Sequence, residues 1–243
     1  MNYPKPFQVW ETSDHNMSIK IRYLNCAVQS RDLPKLCNDP DGALHKAHIQ
    51  IKSDRTTTLG RVHCDVGELV IKRYNTKNIW HLIRRNFQTS RARNSLEMSR
   101  RFAEVGIRVA EPMAVIESGF GPFRGRSWFI SRYLDNELLL DYLGQPQTTD
   151  VLERIRSEIT SIFRKLLRNH MSHGDMKATN ILVMENDLLL IDLDASKNHR
   201  FDLFHKKALS RDKKRFLKNW KSDPRLLKVF ADSLDAQGIG NQI

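Results

Sequence analysis

His173-Gly174-Asp175-Met176-Lys177-Ala178-Thr179-Asn180, followed by Leu188-Leu189-Leu190-Ile191-Asp192-Leu193-Asp194, is the stretch whose reading decides the fold. One short loop carries an acid, a lysine two residues on and an amide five residues on, and a second acid ends an apolar run. Ile181-Leu182-Val183 and Leu188–Ile191, joined through Glu185-Asn186-Asp187, read as a small hairpin that returns Asp192 beside the loop. Phosphoryl transfer needs this set: a carboxylate beside the attacking hydroxyl, with amide and carboxylate oxygens for magnesium. Loop capping, a common duty of Asp and Asn, explains any one of these residues but not their order and spacing.

Upstream, a meander leads toward the loop. His48-Ile49-Gln50-Ile51 and Arg61–Val66 alternate, and Glu68–Tyr74 is a more apolar run that carries Lys72 near its end. Between the first two, Ser53–Gly60 reads as a polar loop with the single glycine Gly60, where a loop over phosphates ordinarily needs several. Thr56–Thr58 offer hydroxyl donors there instead. A helix is predicted after Ser90 as N-cap and before Gly106, with Ala92, Leu96, Ala103 and Val105 as its inner stripe. Glu97, beside Leu96, is placed to turn inward and hold Lys72 against nucleotide phosphates, or else to pair with Arg101 four residues on.

Trp80–Arg85 is a basic, aromatic segment, read as a loop or short helix. Strands are expected at Met113–Glu117 and Ser127–Ser131 around a turn at Gly119–Gly125, and Arg132–Asn136 reads as a connector. Past it the texture is helical, clearest from Asp150 to Arg168, with Thr149 or Asp150 as cap. The organisation is therefore an N-terminal extension over 1–47 that resists reading, an N-terminal nucleotide-binding lobe over 48–134, and a C-terminal catalytic lobe over 135–243. Trp10 and Tyr23, in the extension, read as packing residues.

Composition sets the partners. The 243 residues are 40% hydrophobic and 28% charged, which excludes disorder, but a net charge of +12 predicts attraction to polyanions. Cys26, Cys37 and Cys64 lack the spacing of a zinc site or disulfide framework, and a reducing compartment fits them. The first residues carry no apolar signal core and no run is long enough to span a bilayer, so any contact with a membrane is expected from the cytoplasmic side.

The loop resembles the H-R-D-x-x-x-x-N catalytic loop of the protein-kinase-like fold, and Asp192 resembles the acid of D-F-G, with Leu193-Asp194 in place of Phe-Gly. Within that fold the chain is similar to bacterial lipopolysaccharide core kinases of the Kdo kinase/WaaP type. The residues that carry this are Ile71-Lys72-Arg73-Tyr74, Ser90-Arg91-Ala92-Arg93, Gly106–Pro112, Ile191–Ala195 and the basic tail Lys206–Phe216. The resemblance implies an α+β, two-lobe fold: an antiparallel sheet plus one helix, then a short, mostly helical lobe. It implies ATP and Mg2+ as cofactors, Asp175 orienting and deprotonating a sugar hydroxyl, and Lys177 steadying the phosphoryl group. Asn180 and Asp192 would hold the metal, and Lys72, positioned by Glu97, the α- and β-phosphates.

The acceptor rests mainly on this resemblance, and what comes after Asp192 bears on it. Protein kinases hold peptides there with a longer helical lobe and an A-P-E segment, which 193–243 lacks. Lys206, Lys207, Arg211, Lys213, Lys214 and Arg215, interleaved with Phe204, Leu209, Phe216 and Trp220, predict amphipathic helices with a cationic outer face. A Kdo or heptose of the lipopolysaccharide inner core, presented at the anionic cytoplasmic face of the inner membrane, suits such a face. The alternatives are a compact, RIO-like atypical protein kinase or other small-acceptor kinase, and a catalytically silent basic binding module. Nucleic acid is disfavoured by the absence of an aromatic-stacking motif.

Overall fold

The computed structural model describes residues 19–25, 27–53, 56–75, 89–120, 123–185 and 187–239. Trp10, Cys26 and the Trp80–Arg85 segment lie outside them. The chain is α+β and divides into two compact units, residues 1–96 with 110–134, and 97–109 with 135–243.

The first unit is built on a six-stranded antiparallel sheet in the order β1-β6-β7-β4-β3-β2. Its strands are β1 (Ile19–Leu24), β2 (Ile49–Ser53), β3 (Thr57–Cys64), β4 (Gly67–Tyr74), β6 (Pro112–Phe120) and β7 (Phe123–Arg132). Period-two alternation sends Leu69 and Ile71 of β4 to one face, where Leu33, Cys37 and Leu44 cover them. Those three come from two short helices, α1 (Asp32–Asn38) and α2 (Pro40–His45). Burial pushes the Cys37 thiol up to about 12, so this cysteine is an uncharged packing residue.

Three sequence expectations change here. Ile19–Leu24 is a full strand, paired antiparallel with β6, although nothing in its mixed composition announces it. Thr57 and Thr58 are buried strand residues, and Thr58 Oγ1 accepts from Arg73 Nη2 at 3.0 Å, so they are not donors in a loop. Their β-branched side chains suit a pleated surface. The turn expected at Gly119–Gly125 is shorter, because β6 and β7 run on to Phe120 and from Phe123.

On the opposite face Tyr23, Tyr74 and Val115 pack with Ala92 of α3 (Arg91–Glu104). Ser90 Oγ accepts from the Arg93 amide at 3.1 Å, as an N-cap does. The helix's buried positions are Ala92, Ser95, Met98, Ser99 and Phe102, and Leu96 is partly buried against the same cluster as Ala92. Ser95 turns inward because its hydroxyl meets Tyr74 Oη at 3.1 Å and donates to the Arg91 carbonyl at 3.0 Å.

In the second unit the dominant helix is α5 (Thr149–Arg168), which follows the short α4 (Leu139–Gly144). Its cap is Thr148, whose Oγ1 accepts from the Val151 amide, one residue before the expected position. Ile155, Ile159, Ile162, Phe163 and Leu166 form its buried stripe. That stripe packs against α6 (Asp202–Lys218) and α7 (Pro224–Asp235). Phe216, Trp220 and Phe230 meet edge-on or tilted, with ring centroids 5.1–6.0 Å apart. β9 (Ile181–Val183) and β10 (Leu188–Leu190) form the expected antiparallel hairpin, and β5 (Arg108–Val109) adds to β10 in parallel. β8 (Met171–Ser172) pairs with β11 (Lys197–Asn198).

Beside β8, His205 stacks between His170 and His199, with centroids 5.1 and 5.6 Å away. Burial, reinforced by the neighbouring histidines, holds His199 and His205 below the ordinary histidine range, so both are neutral in the folded chain. The unfolded chain therefore binds more protons once pH drops toward about 6.5, and stability falls as pH falls through that value. Urea unfolding across this range should show the loss, and His205→Gln should flatten it; an unchanged slope in the variant would refute this account.

Candidate functional site

The second unit assembles the loop around a buried histidine and a buried acid. His173 is fully buried. Its Nδ1 takes the Asp175 amide at 3.4 Å, so the ring proton sits on Nε2 and points to the Ile191 carbonyl at 3.1 Å. Burial lowers its pKa, against the pull of Asp212, Asp192 and Asp175, and keeps the ring neutral. Asp212, from the middle of α6, accepts the amides of His173 at 2.7 Å, Gly174 at 3.0 Å and Met176 at 3.5 Å. Ser196 Oγ donates to the His173 carbonyl at 2.9 Å and ties down the other side.

These clamps leave the Asp175 carboxylate partly exposed and ringed by donors. Lys177 Nζ lies 2.9 Å from Oδ2, and Asn180 Nδ2 lies 3.4 Å from the same oxygen and 2.9 Å from the Asp175 carbonyl. Arg215, a turn beyond Asp212 on α6, reaches Asp175 Oδ1 at 3.3 Å and donates to the Gly174 carbonyl. Asp175, Lys177 and Asn180, predicted from spacing alone, thus form one hydrogen-bonded group.

Asp192 follows directly. The Ile191 amide donates to the Asn180 carbonyl at 3.0 Å, which brings the end of the hairpin alongside the loop. Asp192 itself is exposed and has φ 60° and ψ 58°, the left-handed region that Asp tolerates better than bulky residues. The chain then tightens into a 3₁₀ turn over Leu193–Ala195. Gly174 is also left-handed, at φ 80°, and a Cβ there would overlap the Ala195 carbonyl. This is why a glycine stands where H-R-D has arginine.

Asn180 commits its amide nitrogen to Asp175, so its Oδ1 is the oxygen available to a cation. Asn180 Oδ1 and the Asp192 carboxylate are oxygen donors of the kind that could hold magnesium together with phosphate oxygens. Among the described residues no cluster of three or more His, Cys, Asp or Glu could hold a metal by itself.

In the first unit Lys72 lies on β4, opposite Phe129 of β7, with Nζ 5.2 Å from the Tyr74 ring. Glu97 lies on the exposed side of α3 and pairs with Arg101 at 2.7 Å, the i,i+4 arrangement. The inward turn expected of it is taken instead by Ser95.

In the sequence Asp212 is passed over and Arg215 is counted among the outer-face cations, since both sit inside a basic run. The two differ in weight. Asp212 is 1% exposed and satisfies three amides; Arg215 is 46% exposed. Asp212→Ala should lower stability by about 3 kcal/mol in urea unfolding, because buried donors lose a charged acceptor. Arg215→Ala should cost less than about 1 kcal/mol. Equal losses would contradict this ranking.

Comparison with known proteins agrees with the geometry. The model of the lipopolysaccharide kinase (Kdo/WaaP) family matches residues 43–227. Among solved structures, one described as WaaP in complex with acyl carrier protein superposes with a TM-score of 0.56 at 19% identity. The match covers 88% of this chain and 96% of that one, and it shows a shared, protein-kinase-like fold. No curated relative matches the chain. With the family model spanning most of its length, the chain belongs to the lipopolysaccharide kinase (Kdo/WaaP) family.

Proposed function

We propose that this protein transfers the γ-phosphoryl group of ATP to a hydroxyl of Kdo or heptose in the lipopolysaccharide inner core, working peripherally at the cytoplasmic face of the inner membrane. One observation carries the reading: the Asp175 carboxylate is held rigidly from behind yet open in front, with Lys177 and Asn180 on one oxygen. Asp175 accepts the hydroxyl proton and aligns the attacking oxygen. Lys177 shifts from Asp175 to the transferring phosphoryl group, where its charge counts most in the transition state. Asn180 Oδ1 and Asp192 would hold magnesium, which would supply neutralisation of phosphate charge. Lys72 is assigned the α- and β-phosphates, with Glu97 as the carboxylate that would position it on release from Arg101. Neutral His173 is structural: it fixes the loop and leaves proton transfer to Asp175.

The family membership supports the acceptor class, and the +12 charge supports an anionic glycolipid. Purified protein incubated with ATP, magnesium and Kdo–lipid A or heptose-bearing core should add one phosphate, read by mass spectrometry. Asp175→Asn should slow transfer by about a hundredfold to ten-thousandfold. Lys72→Met and Asp192→Asn should be comparably impaired. Full activity in Asp175→Asn, or transfer to neither sugar, would reject the proposal.

A further inference from the structure

Helix α6 leaves one face without a cover. Its buried residues include His205, Leu209, Asp212 and Phe216, a stripe that fixes which side points into the core. Phe204, expected to pack with them, is instead 62% exposed, and its neighbours Phe201 and Leu203 are 65% and 75% exposed. The Phe201 and Phe204 rings touch only edge-on, with centroids 6.2 Å apart. Three large apolar side chains therefore stand in water at the start of the helix, whose Leu209 and Phe216 are buried.

Cations continue the same face. Leu203, Lys207, Arg211, Lys214 and Lys218 follow one another at intervals of four, four, three and four residues, so they fall on one line along the helix. All four cations are exposed, and among the described residues none forms an ion pair. Lys213 is the exception in the basic run: it turns to the opposite side, buried, bonded to Asp235 and to the Ile239 carbonyl at 2.7 Å. Like charges at i,i+4 repel, and the row lacks the carboxylates that would quiet it from within. Its end-to-end length is about 22 Å at the helical rise per residue.

A row of cations with an apolar wedge at one end matches a bilayer surface, where phosphate headgroups and acyl chains lie in adjacent layers. A second copy of this chain fits poorly, since a symmetric contact would set the cationic row against itself. We infer that the outer face of α6 docks on an anionic phospholipid bilayer, with Phe201, Leu203 and Phe204 inserted and Lys207, Arg211, Lys214 and Lys218 against the headgroups. This deepens the proposed function and rests on it for biological sense. The same helix carries Asp212, so docking would set the catalytic loop at a fixed height above the membrane.

The test is cosedimentation of the full chain with phosphatidylcholine vesicles, with and without phosphatidylglycerol, in the absence of nucleotide. The wild type should pellet only with the anionic vesicles and be released by high salt. The triple variant Phe201→Ser, Leu203→Ser, Phe204→Ser and the charge-reversal variant Lys207→Glu, Arg211→Glu, Lys214→Glu should each lower the bound-to-free ratio by about tenfold or more. Circular dichroism checks that both variants fold, and the serine variant should keep full transfer to a soluble core oligosaccharide. Absence of vesicle binding by the wild type, or wild-type binding by the serine variant, would overturn the inference. So would a wild-type dimer that the serine variant dissociates. Vesicle binding without transfer to any sugar would defeat the kinase assignment and leave the docking face standing; transfer to soluble acceptor without vesicle binding would do the reverse.

Discussion

Three backbone amides converge on one buried carboxylate, and the second unit is arranged around that meeting. Asp212 cannot be removed from water without partners, because an unpaired buried charge is among the most costly features a core can hold. The amides of His173, Gly174 and Met176 are those partners, and among the described residues Asp212 is their acceptor. Core and loop thus depend on each other. Phe216, one turn along the helix, anchors Asp212 from the apolar side through its ring contacts with Phe163, Trp220 and Phe230. The position of Asp175 is therefore set by aromatic packing as much as by its own hydrogen bonds.

What could be read from the sequence was whatever is encoded locally. Asp175, Lys177 and Asn180 interact within five residues, the β9–β10 hairpin closes over a few more, and α5 announces itself by apolar periodicity. Asp212 was silent because its meaning depends on partners 36 to 39 residues away, and because lysines and arginines surround it. The face of α3 was read in part: Ala92 and Leu96 pack against the sheet as expected, but Ser95 was passed over. A leucine looks like a core residue and a serine does not, yet Ser95 is buried by virtue of a hydroxyl partner on a neighbouring strand. β1 was missed since its pairing with β6 spans most of the first unit and its own composition is mixed.

The basic run of 206–215 shows how far composition can carry and where it stops. Charge alone pointed to anions. Only the helix phase separates Lys213, which the fold consumes, from Lys207, Arg211 and Lys214, which it leaves to solvent. The same phase puts Arg215 at the catalytic loop, so one helix serves core, site and surface with different residues of similar chemistry.

Gly174 and the turn that follows Asp192 are two halves of one arrangement. The 3₁₀ turn over Leu193–Ala195 places a carbonyl where any side chain at 174 would begin, so position 174 admits only glycine while that turn stands. An arginine placed at 174 by itself would have to displace the Ala195 carbonyl, and the strain would fall on the loop that carries Asp175.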